Sequence, residues 1–85
     1  MEFADVYLGK KIGALKEVVF EPMQQGWVML LRDEEDALVP FTRKGQACVF
    51  ENLARASDLA RLIGFDRVSV LRSLVEPLTP DSKIN

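Results

Sequence analysis

The sequence predicts an α+β fold: a small two-layer sandwich in which an antiparallel β-meander is covered by one main helix, in the order β-β-β-α-β. Three observations carry this. Short apolar runs separated by polar turns occupy residues 27 to 50, a helix with signals at both ends follows at about 52 to 63, and one more strand-like stretch closes the pattern.

The first 26 residues are the least regular. Leu8, Ile12, Leu15 and Val19 fall at helical spacing, but Gly9 and Gly13 each cost about 1 kcal/mol inside a helix. An irregular start leading into a strand near residues 15 to 20 is therefore the expectation, with Pro22 and Gly26 turning the chain towards Trp27. "GWVMLLRD" then alternates Trp27, Met29 and Leu31 against Val28, Leu30 and Arg32, which is a strand with a buried face. Asp33, Glu34, Glu35 and Asp36 make a polar hairpin loop before "ALVPFT", where Pro40, lacking an N–H, belongs on an edge. "RKG" is a tight turn, and "QACVF" is the third strand.

In "ENLARASDLARLIG", Leu53, Ala56, Leu59, Ala60 and Ile63 form one helical face, Asn52 is an N-cap, and Gly64 ends the helix with Phe65 folding back. "FDRVSVL" supplies the last strand, over about residues 67 to 72. Residues 1–75 thus form a single domain, and 76–85, with two prolines and few apolar groups, are expected to be a disordered tail.

Composition excludes several chemistries. The chain of 85 residues has no histidine and one cysteine, which removes Ser-His-Asp and Cys-His catalysis, His-ligated metal and four-thiolate sites. No cofactor is expected, and nothing in the sequence points to an enzyme. Neither a basic-then-apolar leader nor a run of about 20 apolar residues is present, so a cytoplasmic protein without membrane contact is expected. A domain this small buries only about 60% of its unfolded surface, which makes a homodimer a reasonable expectation.

Candidate sites are few. Cys48 has no imidazole to activate its thiol and reads as a small buried hydrophobe. The acidic run Asp33–Asp36 lacks the alternation and glycine of a calcium loop and reads as solvated. Arg43 and Lys44 at the hairpin tip, with Arg55 and Arg61 on the helix, are the candidates for contact with nucleic acid or a partner. The net charge of −2 lacks the basic surplus that phosphate binding calls for. Arg55 and Arg61 also lie about 120° apart on the helix, with Asp58 between them. DNA is therefore possible but not favoured over a protein partner.

Residues 27–71, from Trp27 through Thr42-Arg43-x-Gly45 and Val49-Phe50 to the helix closing at Leu62-Ile63-Gly64-Phe65, resemble small proteins encoded on bacterial plasmids and integrated mobile elements, some named as partition accessory proteins. The resemblance implies the meander–helix–strand order more than any activity; the names suggest accessory roles in plasmid partition, and the family has no catalytic motif to carry over. The resemblance thus carries over no functional residue. Beside it, the sequence reading expects a non-enzymatic accessory protein acting through protein–protein contacts. The alternative is a small DNA-binding regulator using the basic hairpin tip.

Overall fold

A computed structural model describes residues 1–71 of the chain; the expected tail at 76–85 and the far end of the last strand lie outside the described residues. The elements run α1 (Phe3–Lys11), β1 (Leu15–Met23), β2 (Gly26–Asp33), β3 (Leu38–Pro40), β4 (Thr42–Arg43), β5 (Gln46–Ala47), β6 (Val49–Phe50), α2 (Leu53–Ile63) and β7 (Val68–Val70). The α+β class holds, with a mixed sheet in place of a purely antiparallel one.

β1 and β2 are the long central pair, antiparallel from Leu15↔Asp33 to Met23↔Gly26. Their inward positions alternate as a strand should: Val18 and Phe20 on β1 and Met29 and Leu31 on β2 are almost wholly excluded from solvent. The outer edge of β2 is shared. β3 pairs along Leu30–Arg32, and β6 pairs along Trp27 and Val28. Between them the chain leaves the edge at Phe41, whose amide donates to the Met29 carbonyl at 2.8 Å. It makes the separate β4–β5 hairpin and returns at Cys48, whose amide donates to the Phe41 carbonyl at 3.0 Å. Sequence alternation reads residues 46 to 50 as one strand; the Cys48 bond to Phe41 splits it in two.

β7 pairs with β1 in parallel, through Val18↔Val68, Val19↔Ser69 and Phe20↔Val70. α2 carries the chain from β6 on the far edge of β2 across to the free edge of β1. A strand delivered by a helical crossover runs the same way as the one before the helix, and parallel pairing follows.

α1 is the element the sequence pattern obscures. Gly9 is buried, and a Cβ there would sit 2.9 Å from Leu15 Cδ1, so its missing side chain lets α1 lie close on the sheet. Gly13, at φ 82°, ends the helix: its amide donates to the Lys10 carbonyl, and the Ala14 amide to that of Gly9. Both glycines serve the helix, one by close packing and one by capping.

α2 follows its local signals. The Asn52 side chain accepts from the Arg55 amide at 3.2 Å, and the Gly64 and Phe65 amides return to the Ala60 carbonyl. Ala56, Ala60, Ile63 and Phe65 are buried, while Leu53 and Leu59 are only partly covered. Trp27, Cys48 and Phe50 likewise sit against the core without being enclosed by it. Among the described residues, no helix is long and apolar enough to cross a membrane.

Candidate functional site

The β4–β5 hairpin turns on two residues, Lys44 and Gly45, both with positive φ (55° and 82°). A two-residue turn with both residues left-handed matches the twist of the flanking strands. Its backbone N–H groups consequently point together, in the arrangement that collects an anion. The anion is supplied by the chain itself. Glu2, some forty residues away, places its carboxylate on the turn: Oε1 accepts from the Lys44 amide at 3.0 Å, and Oε2 accepts from the Gly45 amide at 3.0 Å and the Thr42 hydroxyl at 2.7 Å. The backbone follows. The Thr42 amide donates to the Met1 carbonyl at 2.7 Å, and the Glu2 amide donates to the Asp5 carboxylate at 3.2 Å, opening α1.

The Thr42 hydroxyl, and after it the Gly45 and Lys44 amides, hold the Glu2 carboxyl below the ordinary glutamate value of 4.5. A carboxyl depressed in the folded state contributes stability that is fully present above its unfolded value and is lost as pH falls through the folded one. The unfolding midpoint of the wild type should therefore exceed that of Glu2→Gln near neutrality. The gap should close as pH drops below 4.5, which urea melts at a series of pH values would show. A gap that is constant with pH would mean the carboxylate charge has no part in the contact.

Beside the turn lies a cavity of about 340 Å³, lined by Glu2, Phe3, Phe41, Thr42, Arg43, Cys48, Phe50 and Leu59. Its floor is apolar, with the Phe41 and Phe50 rings stacked 6.1 Å apart. A more open depression of about 520 Å³ adjoins it, sharing Arg43, Cys48 and Phe50 and adding Val49, Glu51, Asn52 and Arg55. The fold thus brings two of the four sequence-derived candidates, Arg43 and Arg55, to one cleft. Lys44 stands exposed at the tip and contributes its amide. Arg61 is not part of the group; it faces solvent and reaches Asp58 at 3.7 Å.

No protein-family model, no curated protein and no solved structure matches the chain. The resemblance of residues 27–71 to mobile-element accessory proteins therefore rests on the residues quoted above.

The other charged features are occupied locally. The Asp33 carboxylate accepts from the Glu35 and Ala37 amides, both at 2.9 Å, and closes its own loop, and Lys16 reaches Asp36 at 3.5 Å. Arg32 pairs with Glu17 at 2.6 Å. Cys48 is half-buried between β5 and β6, on the wall shared by the two depressions. Sequence reasoning missed Glu2. A glycine turn following a hydroxyl residue marks a possible anion cradle, but nothing local names the acid that fills it.

Proposed function

We propose that this is a non-enzymatic accessory protein that works by protein–protein contact, pairing with a second copy of itself through the outer face of α1. The observation that carries the reading is the character of that helix. Only Val6 and Gly9 of α1 are buried, yet its outward side presents Phe3, Tyr7 and Leu8 and continues to Ile12, which is 70% exposed. Four large apolar side chains left exposed on one short helix and its end make the kind of patch that a partner surface covers. Its ends carry opposite charge, with Asp5 in the first turn and Lys10 and Lys11 in the last. A twofold axis perpendicular to α1 would pair the two helices antiparallel and set each acidic end against the partner's basic end, which is the arrangement these charges favour. An accessory role is also what the names of some of the similar plasmid and mobile-element proteins suggest.

Sedimentation equilibrium tests it. Wild type should sediment as twice its chain mass of 9.6 kDa at micromolar concentration, and Leu8→Glu with Ile12→Glu as a folded monomer. A wild-type monomer at every concentration would overturn the self-pairing.

The second reading, a small DNA-binding regulator, is favoured by Arg43 and Arg55 lining one cleft. Neither makes an ion pair among the described residues. Glu2 and Glu51 on the same walls oppose phosphate. Titration of a labelled duplex at two salt concentrations separates the readings: a phosphate binder loses affinity steeply as salt rises, whereas the pairing reading expects no binding at either.

A further inference from the structure

The hairpin tip is built to hold a carboxylate whether or not Glu2 provides it. The positive φ of Lys44 and Gly45 belongs to the two-residue turn itself, and it turns both amides to one carboxylate, Lys44 to Oε1 and Gly45 to Oε2. Every residue from Arg43 to Ala47 is exposed, and β4–β5 forms its own two-stranded sheet, separate from the main one. The carboxylate of Glu2 is therefore bound at an open surface, where a competing acid has access.

The residue after it extends the pattern. Phe3 lines the apolar cavity whose floor is Phe41, Phe50 and Leu59, with Arg43 on the wall. Glu2 thus holds the turn while Phe3 forms part of the cavity wall, so an acidic residue at the turn followed by an aromatic one in the cavity would fill both.

We propose that the β4–β5 turn and the adjoining cavity form a recognition site for an acidic residue followed by an aromatic one in a partner peptide, with Glu2 as the resident self-ligand at the turn that such a peptide displaces. The tethered Glu2 holds the site at high effective concentration, so an incoming peptide meets mostly occupied protein. Its apparent affinity is reduced by the fraction of time the site stands open. The resident segment acts as a plug, setting a threshold below which weak acidic sequences do not bind. The site shares Phe3 with the outer side of α1 but includes neither Leu8 nor Ile12, so Leu8→Glu with Ile12→Glu leaves its contacts unchanged.

The test uses the full chain, nitrogen-15 labelled, as wild type and as Glu2→Ala, titrated with the capped dipeptide N-acetyl-Glu-Phe-amide and followed at the Lys44 and Gly45 amides. Glu2→Ala should show saturable shifts at both amides, with affinity at least tenfold above wild type, and a far smaller response to the Gln-Phe analogue or to acetate. A folded Glu2→Ala with no saturable shift there overturns the proposal, and equal responses to acetate and dipeptide overturn the ligand class. Should Glu2→Ala lose its folded spectrum, Glu2→Gln, which keeps the side-chain size, is held to the same criterion. Unfolding of both variants would show that Glu2 is a structural brace and not a displaceable ligand.

Discussion

Gly26→Ala should destabilise the fold by about 3 kcal/mol or more, combining backbone strain with overpacking. Gly26 begins β2 at φ 150°, outside the range that side chains favour. A Cβ there would lie 2.2 Å from the Phe50 carbonyl oxygen, 2.9 Å from its carbon and 3.2 Å from Glu51 Cα. All three are backbone atoms, so no rotamer change relieves the clash. β6 must move off β2, breaking the Trp27↔Phe50 and Val28↔Val49 pairs and shifting the start of α2. Gly13→Ala is the control. It also has positive φ (82°) but meets no atom within 4 Å, so it should cost only about 1–2 kcal/mol for the left-handed backbone. Urea melts followed by Trp27 fluorescence would compare the two. Equal losses would mean that β6 does not approach Gly26 as described.

Phe20→Ala carries the second large effect. Phe20 is fully buried in the middle of β1, between Met29 on β2 and Val70 on β7, and heads the largest enclosed side chains. Removing its ring leaves a cavity under both helices' side of the sheet and should cost about 3–5 kcal/mol. Native domains have only about 5–15 kcal/mol in hand, and one this small sits low in that range. The variant should therefore be largely unfolded in moderate denaturant. Leu62→Ala, at a position 77% exposed, should change stability by within about 0.5 kcal/mol. A small loss at Phe20 would place the core elsewhere.

What could be read in advance divides by the range of the interaction. α2 was legible because its signals are local: the Asn52 cap, the three-and-four spacing and the Gly64–Phe65 ending all lie within fourteen residues of one another. The β2 strand and the solvated acidic loop were legible for the same reason, whereas the order β-β-β-α-β leaves out β1, the strand that pairs along the whole of β2. α1 was not, because a glycine reads locally as a helix breaker, whereas Gly9 is explained only by Leu15 across the interface. The parallel pairing of β7 with β1 joins segments some fifty residues apart, and periodicity carries no information about partners. Leu59 shows a smaller version of the limit: it shares the apolar face of α2, but the cavity beside it leaves it partly open.

The candidate site divides in the same way. The tight basic turn at Arg43 and Lys44 was visible, and so was the lack of a continuous basic stripe on α2. The turn's occupancy by Glu2 was not, since the bond spans more than forty residues. Nor was the meeting of Arg43 with Arg55 in one cleft, which depends on how α2 sits over the sheet.

The proposed self-pairing of α1 is tested most directly by isotope-filtered NOE spectroscopy on a mixture of carbon-13-labelled and unlabelled chains. Cross-peaks should run from the Leu8 and Ile12 methyls of one copy to the Tyr7 ring of the other. Their absence from a concentrated sample, or contacts confined to the β3 edge of the sheet, would contradict the account.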